Sequence, residues 1–280
     1  MSDALNIDLH THSNCSDGAL TPTALVARAA AAQIEVLALT DHDTVAGVAE
    51  ADRCAKGSGM RLVAGVEISA SWRSQAIHVL GLWIDPESSS LRRELESQAA
   101  HRALRMRKIC VRLSESGLPG ERLLAAVQAN PGLPTRAHLA AAMVADGIVA
   151  RSDEAFKRYL NRGRAAHIAA DWPALEVVVG WIRSAGGAAS LAHPARYTLS
   201  AGARRRLLTD FAAAGGAAVE VITGSNAAHH IEACAQLAMQ FGLAGTIGSD
   251  FHNPEVPWNP LGRLAKLPAG VTPLWRSHGL

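Results

Sequence analysis

The chain has 280 residues, of which 49% are hydrophobic and 19% charged, and this balance indicates a globular protein and excludes a disordered one. Its formal net charge of +2 excludes a uniformly basic surface for nucleic acids. The start MSDALNIDLH lacks the pattern of a signal peptide, no apolar run approaches the roughly 20 residues that cross a bilayer, and the four cysteines are widely spaced, so we expect a cytoplasmic protein with reduced thiols and no membrane contact.

Strand-like and helix-like segments alternate over the first hundred residues. The apolar runs predict strands at Ile7–Thr11, Val36–Thr40, Leu62–Ile68 and Ala76–Ile84. Helices are predicted at Pro22–Gln33, which has Thr21 as its N-cap, and at Val45–Lys56. The connection between the third and fourth strands is too short to hold a crossover helix.

The middle of the chain is helical and basic. Helices are predicted at Leu91–Ser116, at Arg136–Asp146 behind Thr135 and at Asp153–Asn161 behind Ser152. Between His101 and Ile168, twelve Lys and Arg stand against five Asp and Glu, so this part carries +7 and the remainder −5. A solvated helical face and a clamp for an anionic substrate both account for such a surplus.

The alternation resumes in the last third of the chain. Helices at 174–186, 203–214 and 228–241 accompany strands at Ala188–Ala192, Ala217–Ile222 and Ala244–Gly248. Gly186, Gly215 and Gly242 stand where helices are expected to end. Seven strands that mostly alternate with helices predict a mainly parallel, barrel-like α/β fold. We interpret 101–168 as a small helical cap inserted between the barrel segments 1–100 and 169–280.

Histidine and carboxylate side chains occur at or near the ends of six predicted strands. His10 and His12 project from the same side of the first strand, because side chains two residues apart share a face. The carboxyl ends of the strands build the active site of a βα barrel. The candidate metal ligands are His10, His12, Asp17, His42, Glu67, His78, His193, Asp250 and His252.

These nine side chains suit a site with several metal ions. Imidazole and carboxylate groups bind manganese, zinc or iron, and nine of them exceed the needs of one ion. Two or three ions require a bridging anion, for which Glu67 is the natural candidate. The alternative bridge, a carbamylated lysine, is disfavoured because none of the four lysines ends a predicted strand. The zinc motifs HExxH and PCxxC are absent as well.

Six motifs resemble, in order, those of the PHP (polymerase and histidinol phosphatase) family. They extend from Ile7 to His252 and read DLHTHSNCSDG, LALTDHDT, GVEIS, IHVLG, AHP and GSDFH. The resemblance implies a distorted (β/α)7 barrel and a trinuclear centre of Mn²⁺, with Zn²⁺, Fe²⁺ or Mg²⁺ as alternatives. It assigns His10, His12, Glu67 and Asp250 to one ion, Glu67, His78 and His193 to a second, and Asp17, His42 and His252 to a third.

Within the family, the length, the cap and the segments LPTRAHLA and FKRYLNRGR resemble a small stand-alone branch. That branch contains 3′,5′-nucleotide bisphosphate phosphatases and a related 5′–3′ exoribonuclease. The implied reaction removes the 3′-phosphate of a nucleoside 3′,5′-bisphosphate, converting adenosine 3′,5′-bisphosphate to AMP and phosphate by means of a hydroxide that bridges two ions. His193 and Asp250 are both candidates to assist the leaving oxygen.

The basic cap predicts a second anion site beside the metals. Arginine side chains and helix N-termini both favour phosphate. The predicted substrate contacts are Arg136, His138, Lys157, Arg158 and Arg196. Glu220 and Asn226 are further candidates for the pocket lining, and Trp72 either stacks on a base or belongs to the core.

Three other functions stay open. A 5′–3′ exoribonuclease would thread short RNA 5′ ends beneath the basic cap and use the same site. A histidinol phosphatase would need a single phosphate pocket with a partner for an amine, which the +7 cap does not suggest. A non-catalytic metal-binding or nucleotide-binding module is disfavoured by the complete ligand set. No protein partner is predicted.

Overall fold

Seven strands form one sheet in the computed structural model, which describes residues 5–256 and 259–280. The strands are β1 (Ile7–Asp8), β2 (Val36–Leu39), β3 (Arg61–Trp72), β4 (Gln75–Leu82), β5 (Ala188–Leu191), β6 (Ala218–Thr223) and β7 (Ala244–Gly248). Their order in the sheet follows the chain. β1 to β3 are parallel and β5 to β7 are parallel, whereas β4 is antiparallel to both of its neighbours.

The first and last strands approach each other and nearly close the sheet into a barrel. The amide of Leu9 donates to the carbonyl of Ile247 at 3.0 Å, and the amide of Asp250 donates to the carbonyl of His10 at 2.8 Å. These bonds join the segment that follows β1 to β7 and to the residues just after β7. The predicted distorted (β/α)7 barrel is therefore confirmed.

The expectation of a parallel sheet is wrong at β4. β3 and β4 are joined by Arg73 and Ser74 alone, and a turn of that length can only reverse the chain. Arg73 has φ +54°, the left-handed conformation that such tight hairpins need. Both strands also extend further toward the turn than the apolar runs predict.

Nine α-helices lie in the described residues. They are α1 (Pro22–Ala31), α2 (Val48–Ser58), α3 (Ser89–Glu115), α4 (Gly120–Gln128), α5 (Arg136–Ala145), α6 (Ser152–Ala155), α7 (Leu175–Ser184), α8 (Ala201–Ala213) and α9 (Ala228–Gln240). A π-helical turn, Phe156–Leu160, continues α6, and single 3₁₀ turns occupy Pro194–Arg196 and Leu274–His278.

The helix ends follow local capping chemistry. Thr21 caps α1 and Thr135 caps α5, each accepting a backbone N–H, as predicted. α2 begins three residues later than predicted, because the hydroxyl of Thr44 accepts the amide of Ala46 and holds a turn before the helix. α6 begins at Ser152 rather than after it, and Arg151 occupies the N-cap position.

The apolar side chains form a barrel core and a second cluster among the middle helices. Leu91 and Leu95, in the first turns of α3, belong to the barrel core. The second cluster joins the rest of α3 to α4, α5 and the π-helical turn, and its members include Met106, Leu113, Leu123, Leu139, Met143 and Leu160. α3 thus connects both clusters, and it runs through the predicted boundary at residues 100 and 101. The division into barrel and cap stays a prediction.

Two further observations concern membrane-spanning helices and the state of the cysteines. Within residues 5–256 and 259–280, no helix combines the length and apolar character that a membrane span requires. All four cysteines are free thiols, and burial raises the pKa of Cys110 and of Cys234 to about 11.

Candidate metal centre

The nine candidate ligands meet at one end of the barrel. His10 and His12 follow β1, His42 follows β2, His193 follows β5, and Asp250 and His252 follow β7. Glu67 lies within β3 and His78 near the start of β4. The reversal of β4 explains that position, because His78 pairs with Ser69 and so lies at the mouth where the parallel strands end.

One group of side chains surrounds a carboxylate oxygen of Glu67. The Nε2 atoms of His10 and His12 lie 3.3 Å and 3.2 Å from Glu67 Oε2. Each of the two Nε2 atoms also lies 3.3 Å from Asp250 Oδ1. The four residues offer ligand atoms within 4.8 Å of one another, close enough to share a cation.

Two further groups adjoin the first. His42 Nδ1 lies 3.0 Å from Glu67 Oε2, and His78 Nδ1 lies 2.9 Å from Glu67 Oε1. Asp17 Oδ1 lies 3.3 Å from the Nε2 atom of His252 and 3.9 Å from that of His42. The groups are His42 with Glu67 and His78, and His12 with Asp17, His42 and His252. His12, His42 and Glu67 therefore join neighbouring groups.

His193 departs from the assignment that the resemblance implies. Its Nε2 atom lies 2.9 Å from Glu67 Oε1, the oxygen that also contacts His78. It is nevertheless outside the three groups whose ligand atoms lie within 4.8 Å of one another. Within that limit, His42 is the third member of the group that contains Glu67 and His78.

The site contains buried polar atoms that require a partner. Among the described residues, six such atoms of the candidate ligands make no hydrogen bond: His10 Nε2, His12 Nε2, Asp17 Oδ1, His42 Nδ1, Glu67 Oε2 and His193 Nδ1. Unsatisfied buried polar atoms are rare in folded proteins and indicate a missing ligand. Because the atoms are nitrogens and carboxylate oxygens that point at one another, they fit divalent cations.

The charges of the site follow from burial and mutual contact. Burial raises the pKa of Glu67, but His42 and His78 outweigh this effect and hold its pKa well below the usual range. Burial lowers the pKa of His42 well below its ordinary value. Burial also lowers the pKa of His12, yet the nearby carboxylates of Asp250 and Glu67 outweigh it and raise that pKa to about 10. The Glu67 carboxylate is thus ionised, the form in which a carboxylate can bind a metal.

Three positions of the site have left-handed backbone conformations. The φ angles are +50° for Asp43, +30° for His193 and +53° for Asp250. Such angles are uncommon in residues other than glycine and concentrate where function demands them. Each of these residues adjoins a candidate ligand or is one.

Buried acceptors behind the ligands complete the site. Asp41 accepts hydrogen bonds from the amide and hydroxyl of Ser13 and from the hydroxyl of Ser16, at 2.6–2.7 Å. The Ser16 hydroxyl in turn lies 3.4 Å from His12 Nδ1. Glu220 is also buried, beside His10, so the expectation that it lines the pocket is wrong. The position of Glu220 within the predicted strand 217–222 could have indicated that it is buried.

A cavity of about 940 Å³ opens beside the ligands. Its walls include Asp17, His42 and His78 from the site, the arginines Arg102, Arg105, Arg136 and Arg162, and the aromatic side chains Phe156 and Trp172. The ligands therefore open onto a basic chamber with two aromatic surfaces.

The arginines of the chamber differ in whether a carboxylate neutralises their charge. Arg102 donates to Asp43 at 2.6 Å and to the Ser69 hydroxyl at 2.8 Å. Arg105 donates only to the carbonyl of Ile168, and Arg136 lies over the Phe156 ring at 5.5 Å. Within the described chain, neither Arg105 nor Arg136 forms an ion pair. Burial lowers the pKa of Arg105 to about 10, and Arg136 and Arg102 contribute.

The predicted substrate residues are only partly at this chamber. Arg136 lines it, whereas Lys157 and Arg158 are exposed and do not belong to its lining. His138 lies at the start of α5, where its Nδ1 accepts the amide of Thr135. Arg196 forms an ion pair with Asp250 Oδ2 at the metal site.

Sequence reasoning missed Arg102 and Arg105. They lie three positions apart on α3, so they share a helical face, and that spacing was the available signal. Trp72 belongs to the core, the second of its two predicted roles: it is 7% exposed and its Nε1 donates to Asp210 at 2.7 Å.

Comparisons with known proteins identify the family. The profile of the PHP domain matches residues 8–134. A 5′-3′ exoribonuclease from Haemophilus influenzae is 41% identical over 96% of this chain and 97% of its own. A 3′,5′-nucleoside bisphosphate phosphatase from Chromobacterium violaceum is 40% identical over 97% of this chain and 95% of its own.

A solved structure supports the same relationship. It is an amidohydrolase from Chromobacterium violaceum with bound sulfate and no metal, it shares 40% identity, and it superposes with a TM-score of 0.91 over 97% of this chain and 95% of its own. Sequence and fold therefore agree along nearly the whole chain. The protein belongs to the PHP domain family.

Proposed function

We propose that the protein is a metal-dependent phosphatase that removes the 3′-phosphate of nucleoside 3′,5′-bisphosphates, such as adenosine 3′,5′-bisphosphate. The observation that carries the proposal is the juxtaposition of two features. A buried cluster of metal-ligand side chains opens onto a chamber in which Arg105 and Arg136 lack an ion-pair partner. A substrate with two phosphates matches both. The identity to the Chromobacterium violaceum phosphatase supports the same substrate.

Eight of the nine side chains, all except His193, would hold three divalent cations, with Mn²⁺ as the expected metal. Cations in such a site acidify bound water and neutralise phosphate charge. The supporting observation is that the ligand atoms fall into three adjoining groups. Three groups that share His12, His42 and Glu67 would keep neighbouring cations close together.

The leaving oxygen needs a proton, and His193 is better placed than Asp250 to supply it. Both oxygens of Asp250 are engaged, Oδ1 by His10 and His12 and Oδ2 by Arg196. His193 has a buried Nδ1 atom without a hydrogen-bond partner among the described residues. We therefore assign proton transfer to His193 and phosphate orientation to Arg196, whose guanidinium suits phosphate oxygens.

The second phosphate would bind between Arg105 and Arg136. Two half-buried guanidinium groups without a carboxylate partner favour an anion that joins them. The 5′-phosphate supplies that anion when the 3′-phosphate lies at the metal site. The same basic lining disfavours histidinol phosphate, whose amine would meet like charge.

Product analysis tests the proposal. Manganese-loaded protein is incubated separately with adenosine 3′,5′-bisphosphate, with 3′-AMP and with a short 5′-phosphorylated RNA. We expect AMP and inorganic phosphate from the bisphosphate, with a kcat/KM well above that for 3′-AMP. Failure to release phosphate from the bisphosphate would overturn the proposal.

A 5′–3′ exoribonuclease activity is the second candidate. The chamber of about 940 Å³ lies at the upper end of the range of roughly 300–1,000 Å³ that is usual for small ligands, which leaves room beyond one nucleotide. The Haemophilus influenzae relative supports this reading. Successive release of mononucleotides from the RNA of the same experiment would establish it.

The cytoplasm is the compartment that we assign to this reaction. Four free thiols suit a reducing environment.

A further inference from the structure

Glu220 lies behind the metal site and makes three buried hydrogen bonds. It is 1% exposed and stands in the middle of β6. Its Oε1 atom lies 2.9 Å from His10 Nδ1. Its Oε2 atom accepts the backbone amide of His193 at 2.7 Å and the hydroxyl of Thr223 at 2.8 Å. One carboxylate thus joins two of the candidate site histidines.

The bond to His10 determines which ring nitrogen of that residue is available. An ionised carboxylate can only accept hydrogen bonds, so a proton on Nδ1 satisfies the contact with Glu220. The opposite nitrogen, Nε2, faces Glu67 and Asp250 at 3.3 Å and has no hydrogen-bond partner among the described residues. Nε2 is therefore the ring nitrogen of His10 that a cation in the group of candidate ligands would meet.

The space around this pair is closed. A Cβ atom at Gly248 would lie 2.2 Å from His10 Cβ and 2.8 Å from Glu220 Oε1. The glycine lets β7 approach both side chains, and the packing leaves the His10 ring little freedom to turn. His193 is held in its left-handed conformation, φ +30°, next to the same carboxylate.

We propose that Glu220 is the positioning residue of the metal centre: it keeps His10 protonated at Nδ1, so that Nε2 can bind a metal ion, and it anchors the backbone of His193. The proposal rests on the metal role assigned under the proposed function. It adds a residue that is not itself a ligand. Carboxylates behind a ligating histidine typically change metal affinity by about 10–100-fold when they are replaced.

Substitution of Glu220 by glutamine tests which ring nitrogen of His10 carries the proton. The His193 amide must donate, so the amide oxygen of E220Q will occupy the position of Oε2. The amide nitrogen then faces His10 Nδ1, which must become an acceptor, and the proton moves to Nε2. We expect E220Q to lose about 10–100-fold in manganese affinity, measured by isothermal titration calorimetry, and to retain fewer bound ions by elemental analysis.

Thr223 provides the matched control. T223V removes a hydrogen bond to the same carboxylate but leaves the His10 and His193 contacts in place. We expect T223V to bind manganese as the wild type does. Equal losses in E220Q and T223V would show that the general integrity of the buried network, and not the bond to His10, supports metal binding, and would overturn the proposal.

A double-mutant cycle distinguishes positioning from a general structural effect. If Glu220 acts through His10, E220Q should weaken manganese binding in the wild type but add nothing in an H10A background. Equal losses in both backgrounds would contradict the proposal. Thermal unfolding in EDTA checks that the variants are folded. Because the manganese-binding measurements contain no substrate, their result does not depend on which phosphate ester the protein hydrolyses.

The protonation of His10 can also be measured directly in the wild-type protein. In zinc-loaded, ¹⁵N-labelled protein, long-range proton–nitrogen correlation spectra report which nitrogen of each histidine carries a proton. We expect His10 to be protonated at Nδ1 and metal-bound at Nε2. Metal binding through Nδ1 would overturn the proposal even if E220Q failed to fold.

Discussion

At the scale of single residues, the site is organised around Glu67. This fully buried carboxylate lies within 3.3 Å of five imidazole rings, those of His10, His12, His42, His78 and His193. A carboxylate in this position can bridge cations, because its two oxygens contact different sets of histidines. Its removal should therefore affect more than one ion.

The substitution E67Q removes the charge and retains the shape. We expect the bound-metal content to fall by more than one equivalent and phosphate release to fall by about 100-fold or more, since an amide cannot bridge two cations as a carboxylate does. Elemental analysis and a phosphate-release assay measure both effects. E121Q, the same change on the exposed surface of α4, serves as the control, and wild-type metal content in E67Q would contradict the assignment.

A second residue-scale prediction concerns the distal phosphate. Loss of a hydrogen bond to a charged group costs about 1.5–3 kcal/mol, or roughly 10- to 150-fold in binding. R136Q should raise KM for adenosine 3′,5′-bisphosphate by a factor in that range and leave KM for 3′-AMP, which has no 5′-phosphate, unchanged. K157Q, outside the chamber, should alter neither KM.

Steady-state kinetics on the two substrates settles this prediction. Equal changes in KM for the bisphosphate and for 3′-AMP would show that Arg136 does not contact the second phosphate.

At the scale of elements, the sequence allows most of the barrel to be predicted. The ligands near β1, β2, β5 and β7 were found because carboxyl strand ends share one edge. The reversal of β4 was not predicted, although the connection that is too short for a crossover helix was its signal. Arg102 and Arg105 were missed because helical spacing identifies a common face but not the surface that this face meets.

Arg102 joins α3 to the loop after β2. It is 9% exposed and donates to the buried Asp43, which follows the candidate ligand His42. R102M should cost about 3–5 kcal/mol in the free energy of unfolding, because it leaves a buried carboxylate unpaired. Chemical denaturation of the metal-free protein measures the cost. R107M, on the exposed face of the same helix, is the control, and equally small effects would contradict the prediction.

The close approach of β7 to the site gives a further prediction. G248A should destabilise the fold by about 1–3 kcal/mol, because the added methyl would overlap His10. G57A, in α2, has open space around the new methyl and should gain about 0.5–1 kcal/mol from the better helix propensity of alanine. Thermal unfolding of both variants compares the signs, and a neutral G248A would show that the strand can move.

At the scale of the whole molecule, the basic side chains and the candidate metal ligands lie in different parts of the chain. The segment from His101 to Ile168 carries +7, and the barrel mouth gathers carboxylates and histidines. The chamber lies where these two parts meet, with lining residues from both. The charge asymmetry was visible in the sequence. Of the arginines that face the chamber, Arg136 was predicted, whereas Arg102 and Arg105 were not, because their inward direction depends on how the helices pack.

The central claim is that distant parts of the chain converge to hold divalent cations at the barrel mouth. Anomalous X-ray diffraction at the manganese absorption edge, from crystals grown with manganese, tests this claim most directly. The account predicts three anomalous peaks, one within each of the three ligand groups around His12, His42 and Glu67. An absence of peaks at these groups, in crystals of protein that hydrolyses adenosine 3′,5′-bisphosphate, would contradict it.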